Sequence, residues 1–237
     1  MFSEYKTEQV GISAEIAIAD ITGVPIEASY RTRGKQEIID HLTPTLVSAV
    51  AKIPKPIKHI AGDQNPVDFM LVGNRTLSVK SNMRQLGKVA PQNIGQPTSQ
   101  TFWSKLPELV PPGIDVKRLT YQESAKLFKQ VAQSDTSTLL NAYWENLFDC
   151  DFLIYVFNVL DANDNLSNGP SVKVYEKSKS PIWDMSKIEF SQSLQSWNES
   201  CTVKYRGSSI GEFQVHNNRN CFKFRFNLSG LIDCGLI

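Results

Sequence analysis

The residues with the most chemical promise lie in Asn65 to Asn82, NPVDFMLVGNRTLSVKSN, where Asp68 comes early and Ser78 and Lys80 come late. Two short runs, Val67 to Val72 and Leu77 to Lys80, flank Gly73-Asn74-Arg75, and glycine and asparagine tolerate the positive φ that tight hairpins need. The pattern predicts an antiparallel hairpin. With a three-residue loop at 73 to 75, Val72 would oppose Thr76, Met70 would oppose Ser78, and Asp68 would oppose Lys80. Asp68, Ser78 and Lys80 then share one face and Phe69, Leu71, Leu77 and Val79 the other, so one side makes core and the other a polar site. Hydrolysis of a phosphodiester needs hard oxygen ligands that hold Mg²⁺ on the phosphate, and a cation that orients the attacking water. Asp68 would be a metal ligand, the main-chain carbonyl of Val79 another, Ser78 the holder of a metal-bound water and Lys80 the cation. The same Asp and Lys could instead form an ordinary cross-strand pair, worth about 0.2 to 1 kcal/mol.

The elements around this hairpin follow from periodicity. Residues 7 to 22 place Val10, Ala14, Ala17 and Ile21 on one stripe, predicting a helix that ends at Gly23. Residues 35 to 53 predict one kinked helix or two stacked ones, with Thr43-Pro44 as an internal cap and first helical position. The chain then runs extended from Ile57 to Ala61, and residues 85 to 100 read as a long polar loop. Helices are expected at 120 to 133, opening on a T-x-x-E capping box, at 136 to 149, and at 186 to 197. Phe152 to Leu160 reads as a central strand with Val172 to Tyr175 beside it, and 201 to 206, 210 to 216 and 221 to 227 as three antiparallel strands. In the last, Phe222, Phe224 and Phe226 alternate with Lys223, Arg225 and Asn227, giving one core face and one basic face. The fold class is α/β, a mixed central sheet flanked by helices with a β-rich C-terminal part.

Composition bounds the alternatives. With 237 residues, 41% hydrophobic and 21% charged, the chain has ordinary globular usage, which argues against a disordered or coiled-coil protein. Its longest apolar-rich run, Phe152 to Leu160, is far below the about 20 residues of a membrane-spanning helix, and the start lacks a secretory pattern, so no membrane and a cytoplasmic setting are expected. Cys150, Cys201, Cys221 and Cys234 have no zinc-ligand spacing and read as reduced, mostly packed thiols. The net charge of +1 says little, but its distribution is uneven. Arg75, Lys80, Arg84 and Lys88 form one basic segment without acids; Lys204, Arg206, Arg219, Lys223 and Arg225 form a second against Glu212 alone. Converging in the fold, they would make the cationic face of a polyanion binder; apart, they are two solvated faces.

Pro66-Val67-Asp68, nine residues, then Ser78-Val79-Lys80 resembles the signature of the PD-(D/E)XK nucleases. Ser78 stands where that superfamily usually carries Glu or Asp, and in this the chain is similar to small type II restriction endonucleases with an uncharged residue there. The resemblance implies that another acid completes the site: Glu15 on the first helix resembles a helix glutamate of the family, and Glu37 and Asp63 are further candidates, although each is equally an ordinary capping or surface acid. Gly211 to Arg219 and Phe222 to Phe226 look like the subgroup's terminal DNA-recognition strands, which makes Gln214, His216, Asn217, Arg219, Lys223 and Arg225 candidate DNA contacts. Arg84, Lys88, Gln92 and Asn93 resemble a DNA-facing loop. His41 and His59 are expected to be ordinary core or surface residues.

The resemblance implies one endonuclease domain over 1–237, with a catalytic half in 1–100, a helical and central-strand middle in 101–200 and recognition strands in 201–237. It further implies Mg²⁺ as cofactor, cleavage of double-stranded DNA at a short specific sequence, action as monomer or homodimer, and a companion DNA methyltransferase of the same specificity. A repair or structure-specific nuclease, a non-catalytic DNA-binding protein and a protein-interaction domain are the competing readings.

Overall fold

The stripe of Val10, Ala14 and Ala17 becomes helix α1, Thr7–Thr22, in the computed structural model, which describes residues 5–62, 65–91 and 93–237. Gly23 ends it at φ 75°, and the amides of Gly23 and Val24 both donate to the Ala19 carbonyl, satisfying a group the helix would otherwise orphan. After the single turn α2, Ala28–Arg31, comes α3, Gln36–Val50, which is one helix with Pro44 inside it. Of the two expected alternatives, the single helix is found and the two stacked ones are not. Thr43 is no cap: its hydroxyl donates to the Ile39 carbonyl at 2.7 Å. Proline deprives only the carbonyl four residues back, that of Asp40, and Asp40 is exposed, so water can serve it.

These helices belong to the first of two compact units, residues 1–87 with 148–178. Its sheet has the order β1-β2-β3-β5-β6, with β1 Pro56–His59, β2 Phe69–Leu71, β3 Arg75–Ser81, β5 Phe152–Phe157 and β6 Ser171–Glu176. Only β3 and β5 run parallel, and residues 88–147 form the long connection such a pair requires. Phe69, Leu71, Leu77, Val79, Phe152, Ile154 and Val156 form one apolar face, packed with α1 and α3 through residues such as Ile16, Ile38, Leu42 and Leu46. Each such side chain contributes about 1.5 to 3 kcal/mol, which pins β3 in the middle of the sheet.

The hairpin register differs from the expectation. Phe69 pairs with Leu77, Met70 with Thr76 and Leu71 with Arg75, around a loop of Val72, Gly73 and Asn74. Gly73 and Asn74 both take positive φ, 79° and 58°, so the turn is completed before Arg75, which already belongs to β3. The slip is two residues, which preserves every side chain's face. Asp68 therefore lies across from Ser78 rather than Lys80.

The second unit comprises residues 88–147 and 179–237. Its antiparallel sheet has the order β4-β10-β9-β8-β7, with β4 Lys88–Val89, β7 Ile188–Phe190, β8 Ser200–Tyr205, β9 Ser208–His216 and β10 Cys221–Asn227. Helices α4 Ser99–Lys105, α5 Tyr121–Ser134, α6 Thr136–Leu147 and α7 Leu228–Asp233 complete it. As the alternation predicts, Phe222, Phe224 and Phe226 are fully buried; Phe128 of α5 stacks on Phe222 at 4.4 Å, and Tyr143 of α6 stacks on Phe224 at 4.2 Å. The capping box of α5 forms between Thr120 and Glu123.

Two expectations are corrected in this unit. Residues 186 to 197 are not a helix: Met185–Lys187 is one 3-10 turn, and Ile188 and Phe190 pair with Tyr205 and Val203 as β7. The polar loop expected over 85 to 100 holds only in part, because Val89 pairs with Phe226 and the amides of Phe224 and Phe222 donate to the carbonyls of Gly95 and Pro97. Main-chain bonding to the outer edge of β10 outweighs the polar composition. All four cysteines are free, and among the described residues no helix is long and apolar enough to cross a membrane.

Candidate active site

Asp68 immediately precedes β2 and is held from both sides: its amide donates to the Leu77 carbonyl and its carbonyl accepts from the Ile60 amide, each at 2.9 Å. The residue is buried, 9% exposed. Oδ2 accepts the Val79 amide at 2.6 Å and the Ser78 hydroxyl at 3.3 Å. A strand amide points in the plane of its sheet, so the carboxylate fills the gap where β2 has ended and β3 runs on. The Asn82 amide donates to Val156 of β5, and main-chain groups alternate edges along a strand, so the amide and carbonyl of Val79 both face the Asp68 side. Lys80 follows Ser78 on the same face, half-buried, opposite Tyr155 of β5.

A second buried carboxylate comes from α1. Glu15 is 6% exposed, and its Oε2 accepts the Tyr30 hydroxyl at 2.6 Å and is 3.0 Å from Nε2 of His59. His59 lies edge-on between Tyr30, with ring centroids 4.7 Å apart, and Phe69, at 5.0 Å. Burial and the nearby Glu15 carboxylate push the Tyr30 phenol far above its ordinary range, so it stays a donor. The Asp68 carboxyl is pushed up to about 7, first by burial and then by the charge of Glu15; Lys80 and the bonds from Val79 and Ser78 oppose the rise. A buried carboxyl raised by the charge of a neighbouring carboxylate marks a place where a cation would be welcome.

The donor chemistry fits a hard divalent ion: carboxylate oxygens of Asp68 and Glu15, with the Val79 carbonyl turned to the same edge. Among the described residues no group of three or more His, Cys, Asp or Glu is placed to hold a metal, so such an ion would rest on two acids, main-chain oxygen and water. Cys150 feels the charges of Lys80 and Asp68, but burial pushes its thiol up to about 12, which excludes a thiolate nucleophile at neutral pH.

The structure thus brings Glu15, Asp68, Ser78, Val79 and Lys80 into one unit around β3. Glu37 lies exposed on the first turn of α3 and takes no part; Asp63 and Gln92 lie outside the described residues. Sequence reasoning missed Tyr30 and His59. Tyr30 sits in a one-turn helix without periodicity, and a β-bulge between Pro56 and Lys58 hides the pairing of His59 with Phe69. The legible signal was Glu15 itself, a lone charge within ISAEIAIA.

The other candidate residues divide. In the first unit, Arg84 forms an ion pair with Asp164 at 2.6 Å. In the second, Lys88 and Arg225 both bond Glu212, at 2.8 and 2.9 Å. Lys223 pairs with Gln214 and Arg225 with Glu212 across β9 and β10, so these side chains and His216 share one sheet face, while Asn217 and Arg219 are exposed in the turn at its end. His216 bonds Gln214 at 3.2 Å; burial, then Lys223 and Arg219, hold its imidazole below the ordinary histidine range. Burial and neighbouring Arg225 likewise lower the Lys223 ammonium. Asn93 is used differently: its amide donates to the Asn146 side chain and its carbonyl accepts from Lys105. Of the first basic segment, only Lys88 is in this unit.

The chain is 30% identical over 228 residues to the type II restriction enzyme CviAII of Paramecium bursaria Chlorella virus 1. That similarity takes in 95% of this chain and 60% of the relative, so the chain spans about three-fifths of the length of the enzyme it matches. No family model matches the chain and no solved structure matches it.

Proposed function

We propose that this chain is a type II restriction endonuclease of the PD-(D/E)XK kind, hydrolysing phosphodiester bonds of double-stranded DNA at a short specific sequence with Mg²⁺ as cofactor. The observation that carries this reading is the placement of Asp68, Ser78, Val79 and Lys80 around one central strand, with Glu15 beside them, in a chain similar to a type II restriction enzyme over nearly its whole length. Asp68, Glu15 and the Val79 carbonyl would hold Mg²⁺, which supplies Lewis acidity at the scissile phosphate when bound. Lys80 orients the attacking water and offsets charge developing on the phosphate. Ser78 supplies no carboxylate; its hydroxyl and the Val79 amide fix Oδ2 of Asp68.

On the second unit, Gln214, His216, Asn217 and Arg219 would read base edges or phosphates, and Lys88, Lys223 and Arg225 would track the phosphate backbone. Arg84, Gln92 and Asn93 extend the candidate contacts. A cytoplasmic setting, one endonuclease domain formed by both units and a companion methyltransferase belong to the same reading. The test is digestion of plasmid DNA with Mg²⁺, with the fragment ends sequenced. Discrete fragments with constant termini are expected, lost in Asp68→Ala and Lys80→Ala. Termini that vary with nicks or junctions would favour a repair nuclease; tight DNA binding without cleavage in any divalent metal would leave a binding protein.

A further inference from the structure

Glu15 is an expensive residue to keep. It lies midway along a helix whose neighbours Ile12, Ile16, Ala17 and Ile18 are core, and its side chain is only 8% exposed. An apolar residue would pack there without any desolvation cost. Instead, two other elements each commit a donor to it: the half-buried Tyr30 from α2 and the largely enclosed His59 side chain from β1. Both approach the same oxygen, Oε2. A carboxylate gripped on one oxygen has its rotation fixed, and its other oxygen points away from the grip. The His59 ring is itself held, edge-on between Tyr30 and Phe69. Phe69 directly follows Asp68 and pairs with His59 across β1 and β2, so the register that places Asp68 also places the group that orients Glu15.

We propose that Tyr30 and His59 are positioning residues that grip Oε2 of Glu15 and so present Oε1 to the divalent cation held by Asp68, providing the second carboxylate that Ser78 does not. This rests on the metal-dependent reading above. Neither residue touches DNA or the ion. Groups that orient a metal ligand from behind typically change metal affinity 10- to 100-fold when removed.

The test is binding of Mn²⁺ to the full chain without DNA, by isothermal titration, with thermal denaturation of the metal-free proteins in parallel. Tyr30→Phe removes one hydroxyl and His59→Phe keeps a ring without a hydrogen bond; each is expected to weaken Mn²⁺ about 10-fold. His59→Gln, which retains a donor, is expected to recover most of the loss. Glu15→Gln should weaken Mn²⁺ at least as much. If Tyr30→Phe and His59→Phe lower only the denaturation temperature and bind Mn²⁺ like the wild type, or if Glu15→Gln does so, the positioning role is wrong. Asp68→Asn separates the two ideas. Loss of Mn²⁺ in Asp68→Asn alone would overturn this inference and leave the metal-dependent nuclease standing, whereas a wild type that binds no Mn²⁺ would overturn both.

Discussion

A carboxyl group pushed up to about 7, against 3.8 for an ordinary aspartate, ties Asp68 to the stability of the metal-free protein. Between those values the folded chain holds a proton that the unfolded chain releases, so stability falls as pH rises from about 4 through about 7. The slope is at most about 1.4 kcal/mol per pH unit. Asp68→Asn removes both the titration and the repulsion with Glu15. The variant is expected to be more stable than the wild type at pH 8 by about 1 to 3 kcal/mol, to differ little at pH 4, and to cleave no DNA. Urea denaturation at the two pH values, with chelator present, measures this; an unchanged difference between pH 4 and pH 8 would show that Asp68 carries its charge without cost. Such a combination, higher stability with lost activity, is what a residue retained for chemistry gives and a structural ion pair does not.

At the scale of elements, what the sequence reveals depends on which symmetry an error respects. The hairpin's two faces were legible because a slip of two residues keeps strand parity; the identity of Asp68's neighbour was not, because two successive positive-φ residues close the turn one position early. Helix α1 was legible down to its terminal glycine, since stripe and stop signal agree. Residues 186 to 197 misled because Ile188 and Phe190 suit either state locally and only the distant Tyr205 and Val203 decide it. Helix α7 was not expected, and it shows why local pattern is not enough: Gly230 lies so close to β9 that a Cβ there would come 1.7 Å from the Ser209 carbonyl oxygen and 2.6 Å from its carbon. Backbone on both sides leaves no flexible side chain to yield. Gly230→Ala is therefore expected to destabilise the protein by about 2 to 3 kcal/mol, as overpacking of a core does, whereas Gly62→Ala, with open space around it, serves as a neutral control. Thermal denaturation distinguishes them; equal transition temperatures would mean that α7 can lift from β9 freely.

For the whole molecule, a net charge of +1 provides no long-range field to gather a polyanion, so any affinity for DNA must come from where the cations sit. The second unit concentrates them: Lys88, Lys223 and Arg225 share a sheet face, Arg219 stands at its end, and Glu212 is bonded to two of them. Lys223 and His216 both lose proton affinity there, through burial and then neighbouring cations, and a phosphate chain bound on this face would offset the second of these causes. Each cation that replaces a counterion on duplex DNA steepens the dependence of binding on salt by about one unit of logarithmic slope. Lys223→Ala and Arg225→Ala are accordingly expected to weaken binding and to flatten that slope by about one each, with Ca²⁺ replacing Mg²⁺ and affinity followed by fluorescence anisotropy over a range of salt. Glu212→Gln should act oppositely, because it releases Lys88 and Arg225 from a carboxylate that would compete with phosphate. The three variants together separate a recognition face from a merely solvated one: on a face that never meets DNA, removing either sign of charge leaves the slope where it was.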